Sequence, residues 1–169
     1  NQAASLILEG VFEAFPNLKV CMIEGGFAWV PSLGWRLDAH WAKMRDEVPQ
    51  VKRPPSEYMR TNLWYATQPV EEPENPDDLR QVFEWIGWDR MVYSSDYPHW
   101  DFDDPHLAFR FQMTEQEKRM LFRDNALTYH LGDHEHDNGQ YNLMRVVDYV
   151  LGAAFMTRGE LAKQLDYLT

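Results

Sequence analysis

Arg90-Met91-Val92-Tyr93-Ser94-Ser95 is a short run of strand-forming composition that passes directly into Asp96-Tyr97-Pro98-His99. It predicts a strand whose C-terminal end carries an acid. The residues before it predict a helix. Asn75-Pro76-Asp77-Asp78 supplies an N-cap, a proline at the first position and acids in the first turn. Leu79, Val82, Phe83 and Ile86 make one apolar face, and Gly87 closes the helix. Upstream again, Leu63 to Thr67 (LWYAT) has the aromatic content of a second strand, and the proline- and acid-rich segment Gln68 to Glu74 follows it as a loop.

The same alternation continues toward the N-terminus. Leu18 to Ile23 (LKVCMI) reads as a strand buried on both faces and ends in Glu24-Gly25-Gly26. Phe27 to about Val48 is a helix, with Pro31 in its first turn and Trp29, Leu33, Leu37, Trp41 and Met44 along one stripe. Pro49 to Pro55 is a loop, and Ser56 caps a short helix through Arg60. Ahead of all this, Leu6, Ile7, Val11, Phe12 and Phe15 define a helix that Pro16 and Asn17 end. Downstream, Thr114-Glu115-Gln116-Glu117 is a capping box opening a helix that runs to Leu131. Strands that alternate with helices pair in parallel, in a barrel or a doubly wound sheet. Both architectures place chemistry at the C-terminal ends of the strands, where Glu24, Gln68 and Asp96 fall.

Composition limits the classes of function. Of 169 residues, 44% are hydrophobic and 14% aromatic, enough for a packed core. The 27 acids against 16 bases give a net charge of -11, which repels phosphate backbones and anionic lipid, so neither nucleic acid nor a membrane surface is an expected partner. No apolar run approaches the roughly 20 residues of a membrane span, and the start lacks the features of a signal peptide; a cytoplasmic protein is expected. Cys21 is the single cysteine, which rules out an internal disulfide and a thiolate zinc site and reads as a reduced, buried thiol. The chain opens without methionine inside an apolar-periodic stretch, which suggests a truncated chain.

Two segments carry a resemblance. Ile23-Glu24-Gly25-Gly26 with Phe27-Ala28-Trp29-Val30-Pro31, and Ser95-Asp96-Tyr97-Pro98-His99-Trp100, resemble signatures of the amidohydrolase-related family that includes aminocarboxymuconate-semialdehyde decarboxylase. The likeness runs from Ser5 to Leu131 and takes in Trp35-Arg36-Leu37-Asp38, Gln68-Pro69, Glu71-Glu72-Pro73 and Asp124-Asn125-Ala126. It implies an α/β fold, the C-terminal portion of a metal-dependent (β/α)8 TIM barrel. The domains expected are residues 1–131 as barrel, 132–141 as polar linker and 142–169 as a helical extension, the last from the apolar stripe after Leu143. The cofactor implied is a divalent metal ion, zinc or manganese, held by a His-x-His pair and a further histidine that this chain does not offer at matching places, and by an aspartate that Asp96 matches.

The implied function is a metal-dependent hydrolase acting on a small carboxylated, aromatic-derived molecule. The alternatives are a decarboxylase of the same family, or an inactive fragment or assembly module. Candidate catalytic residues are Asp96, Glu24 and His99, with Asp96 also the metal ligand. Each has a plainer explanation. Asp96 would cap the turn that follows it, Glu24 would cap the next helix, and His99 would be a structural neighbour. Many relatives have a histidine where this chain has Glu24. Asp101 and Asp103 continue the Asp96 loop as weaker candidates. His134 and His136 spell an H-x-H but belong to the polar linker, and His40, His106 and His130 read as structural residues in helices. A small-molecule substrate and another copy of the chain are the expected partners.

Overall fold

A computed structural model describes residues 1–131; the linker and helical extension expected at 132–169, His134 and His136 among them, lie outside the described residues. Three parallel strands, β1 (Val20–Met22), β2 (Leu63–Ala66) and β3 (Met91–Val92), form a sheet in the order β1-β2-β3. Val20 stands opposite Leu63 and Met22 opposite Tyr65, while Tyr65 faces Met91 and Ala66 faces Val92. Each neighbour in the sheet is also the next strand in the chain, and helices occupy the connections.

Those helices follow from local sequence. The first expected helix is two, α1 (Gln2–Leu8) and α2 (Val11–Ala14), because Gly10 between them takes a left-handed φ of 75°. A side chain there would strike Gln50, whose Cγ lies 2.7 Å from the Cβ position. Helix α3 (Trp29–Lys43) buries Val30, Pro31, Gly34 and Trp41 and packs Trp29 and Leu33 of the expected stripe against the same core, while Met44 is exposed. Helix α4 (Pro55–Thr61) starts on a proline; Ser56 is not its cap but donates its backbone N–H to Asp38 Oδ1 at 2.8 Å. Helix α5 (Pro76–Ile86) has the expected Asn75 cap, which accepts from the Asp77 amide, and ends at Gly87. The Thr114 capping box opens α6 (Glu115–Arg119), a π-helical turn covers Met120–Asp124, and α7 (Asn125–Leu131) completes the run.

Alternation along each strand sorts its side chains onto two faces. Val20, Met22, Leu63, Tyr65, Met91 and Tyr93 point into the larger core with Phe27, Val30, Met59, Leu79 and Phe83. Cys21, Trp64 and Val92 face the other way, against Ala126 and Tyr129 of α7. Strand β2 is buried throughout, as expected of a central parallel strand. Strand β1 is only half-buried, because it lies at the edge of the described sheet, not inside it. His106 sits in a turn and not in a helix. Among the described residues no helix is long and apolar enough to cross a membrane.

Candidate active site

Parallel pairing brings the C-terminal ends of the three strands to one side of the sheet. Three loops leave there. The first carries Glu24-Gly25-Gly26, the second Gln68 to Glu74, and the third Ser94 to Asp104. Asp96 is 8% exposed and Glu24 is exposed, yet both hold the same unusual backbone: φ is 59° at Asp96 and 54° at Glu24. Among the described residues these are the two non-glycine residues in the left-handed region. Such a conformation costs energy in an L-residue and persists where the surroundings enforce it, often at ligand-handling sites.

His99 folds back onto Asp96. Its Nδ1 lies 2.7 Å from Asp96 Oδ2, and its backbone N–H donates to the Asp96 carbonyl at 3.0 Å. The imidazole is otherwise turned outward, 66% exposed. The hydrogen bond to Asp96 pushes the His99 pKa up from its ordinary value; the charge of Asp96 adds to this, and those of Asp101 and Glu24 add less. Asp103, half-buried in the same loop, has its carboxyl pushed up by burial, against which the Val70 amide works by hydrogen-bonding the charged form. Glu24 does not cap α3. Glu71 instead meets the segment just ahead of that helix from the second loop: its Oε1 accepts from the amides of Phe27 at 3.0 Å and Ala28 at 2.9 Å. A small cavity lined by Glu71, Leu79, Arg110 and Phe111 lies beside this contact and includes none of Glu24, Asp96 or His99.

The donor set bears on the implied metal. Asp96 fits one ligand position: it is a nearly buried carboxylate with Oδ2 oriented by His99, and among the described residues no hydrogen bond reaches Oδ1. The described residues contain no group of three or more His, Cys, Asp or Glu side chains placed to hold a metal ion. Two such side chains are therefore the most that the described residues bring together.

Glu24, Asp96 and His99, expected from sequence, thus lie on loops at the same end of the sheet, with Asp96 and His99 in direct contact. Sequence reasoning missed Glu71 as the residue that meets the Phe27 and Ala28 amides ahead of α3 and underrated Asp103, which binds the second loop. The available signal was two acids within proline-rich or irregular loops that have no regular structure to satisfy them.

Comparison with known proteins identifies the family of this fold. The chain resembles an amidohydrolase from Mycobacterium avium subsp. paratuberculosis K-10 (30% identity, TM-score 0.63, covering 75% of this chain and 32% of that one). It resembles 5-carboxyvanillate decarboxylase from Sphingomonas paucimobilis (30% identity, TM-score 0.60, 75% and 38%). It also resembles a dihydroxybenzoic acid decarboxylase from Polaromonas sp. JS666 crystallised with manganese and 2-nitroresorcinol (25% identity, TM-score 0.59, 75% and 38%). The chain spans between 32% and 38% of the length of these relatives. The sequence model of the amidohydrolase family matches residues 1–128, the whole of the sheet and every loop described above, and the chain belongs to that family.

Proposed function

We propose that this chain serves a metal-dependent decarboxylase of the amidohydrolase family, with Asp96 as a metal ligand and catalytic residue. The observation that carries this is the shared left-handed backbone of Asp96 and Glu24 at the strand ends, with His99 fixed on Asp96. Residues 1–131 are then a segment of a (β/α)8 barrel, which accords with three parallel strands in unbroken chain order. The sequence alone put hydrolysis first and decarboxylation second. The named relatives favour the reverse, since two of the three just described are decarboxylases of hydroxylated aromatic acids. Cleavage of a C–N or ester bond is the second reading, favoured by the amidohydrolase description of the family itself.

A divalent metal, manganese or zinc, would supply positive charge that stabilises the negative charge developing on the substrate. Manganese bound in a relative supports a divalent ion without choosing between the two. Asp96 would offer Oδ1 to it, while His99 holds Oδ2 and fixes the carboxylate's rotation. Departure of carbon dioxide leaves an electron pair on carbon that must take up a proton. Glu24, on the neighbouring loop, is the proposed acid for that step: its carboxyl gives the proton to carbon and is left as the carboxylate. The substrate proposed is a small hydroxylated aromatic carboxylate, and a second copy of the chain is the proposed protein partner.

The test is a manganese titration of the 169-residue chain and its Asp96→Asn variant, followed by incubation with 2,6-dihydroxybenzoate, 5-carboxyvanillate and an aryl amide, with products identified by mass spectrometry. With no three-ligand group among the described residues, weak manganese binding that the variant loses is expected, and any turnover by the wild type should release carbon dioxide. Equal binding by both proteins removes Asp96 as a ligand, and amide cleavage without decarboxylation moves the assignment to hydrolysis.

A further inference from the structure

The loops that carry Glu24 and Asp96 do not hydrogen-bond each other directly among the described residues. They are joined through the loop after β2, by two carboxylates from different loops. Glu71 reaches from that middle loop to the first one, where its Oε1 takes the Phe27 and Ala28 amides just ahead of α3. It approaches so closely that a Cβ on Gly26 would lie 2.5 Å from this oxygen. The other oxygen, Oε2, is buried without a hydrogen-bond partner. The carboxylate is thus held against the first loop even at the cost of one unsatisfied oxygen.

Asp103 makes the opposite link. Its Oδ2 accepts the Val70 amide at 3.0 Å, one residue before Glu71 in the chain. Its own backbone is tied to the end of β3: the Asp103 N–H donates to the Ser95 carbonyl at 2.9 Å, and the Tyr93 hydroxyl donates to the Asp103 carbonyl. Ser95 immediately precedes Asp96. A continuous series therefore runs from Asp96 through Ser95 and Asp103 to Val70, and from Glu71 to Phe27, three residues from Glu24. Farther down, Ser94 donates its amide to Thr67 Oγ1 at 3.1 Å and holds the bases of the second and third loops together.

We infer that Glu71 and Asp103 are positioning residues, which lace the three loops into one unit and so fix the placement of Glu24 relative to Asp96. This rests on the assignment of Glu24 and Asp96 to the site. Neither carboxylate touches the proposed reacting atoms; both act on the backbone that bears them.

The test is amide hydrogen exchange by mass spectrometry on the full chain, comparing Asp103→Ala, Glu71→Ala, Asp103→Asn and Glu71→Gln. In Asp103→Ala, exchange is expected to rise about tenfold or more in residues 23–28, which Asp103 does not touch, as well as in 68–72. In Glu71→Ala it should rise in 95–104 as well as in 23–28. Protection of β2 should hold in both. Asparagine and glutamine keep an accepting oxygen, so Asp103→Asn and Glu71→Gln are expected to restore protection. A rise confined to the loop each residue touches overturns the inference, as does failure of the conservative variants to improve on alanine. If an alanine variant does not fold, the conservative pair decides: wild-type protection in all three loops is expected, and its loss there overturns the inference. Exchange needs no bound metal, so failure of Asp96 as a ligand is read separately in the manganese titration.

Discussion

Glu71 and Gly26 are packed so that the carboxylate occupies the place a Gly26 side chain would take: Oε1 lies 2.5 Å and Cδ 3.2 Å from that Cβ position. Gly26 also has a φ of 59°, which a side chain disfavours. Gly26→Ala is therefore expected to lower stability by about 1–3 kcal/mol, through backbone strain and displacement of Glu71. Neighbouring Gly25 is the control, since the nearest atom to its Cβ position is the Ile23 carbonyl oxygen at 4.0 Å. Urea unfolding curves compare the two; equal midpoints for Gly26→Ala and the wild type would mean that Glu71 does not stand there.

Asn125 is 5% exposed and donates its side-chain amide to two backbone carbonyls, Trp88 at 2.6 Å and Met91 at 2.7 Å. It thereby fastens the start of α7 to the beginning of β3. Asn125→Ala leaves both carbonyls without this donor, and a loss of about 2–3 kcal/mol is expected. Asn125→Asp is a sharper probe. It replaces a donor with an acceptor facing two carbonyl oxygens, so it should destabilise at least as much at pH 7, and thermal unfolding in parallel with Asn125→Ala checks the order.

These contacts show where sequence was informative. The Asn75 cap, the Thr114 capping box and the β2 strand were legible because each shows in adjacent residues, by spacing or by composition, whereas the full burial expected of Leu18 to Ile23 belongs instead to β2. Asp96 was legible from its place at a strand end. The break at Gly10 was not, because apolar spacing alone continues across it, and the left-handed φ and the contact with Gln50 that call for a glycine appear only in the fold. Nor were Glu71 and Asp103, whose partners Phe27, Ala28 and Val70 lie between 33 and 44 residues away and have no periodic relation to them. Residues that act across loops leave no local pattern.

Glu117 combines two roles in acid stability. It receives the Thr114 amide in the capping box and pairs with Arg80 at 2.7 Å, joining α6 to α5. The Arg80 hydrogen bond is the main reason its carboxyl titrates below the ordinary 4.5. A carboxyl whose folded pKa lies below its unfolded value contributes stability above the unfolded value and loses it as pH falls through the folded one. The contribution should therefore be complete at pH 7 and fade below about pH 4.5. Glu117→Gln is expected to lower stability at pH 7 and to converge on the wild type in stronger acid. A constant gap between the two across a pH series of urea titrations would show that the charge of Glu117 is not what stabilises it.

Cys21 reports on the face of the sheet opposite the larger core, where it packs beside Trp64 and Val92. The residue is half-buried, but burial of the thiol pushes its pKa up to about 12, with a hydrogen bond from the backbone of Ala66 offsetting part of the effect. At pH 8 only about one thiol in ten thousand is then ionised, against roughly a quarter for a free cysteine, and even with the greater nucleophilicity of a high-pKa thiolate the reaction with a disulfide reagent in native buffer should be slower by at least about tenfold. The rate should climb about tenfold per pH unit without levelling off before the fold is lost, because the thiolate fraction keeps rising well below the pKa. In urea the reaction should be complete at once. Rapid stoichiometric labelling at pH 8 under native conditions would show instead that this face opens to solvent, with Trp64 and Val92 exposed along with the thiol.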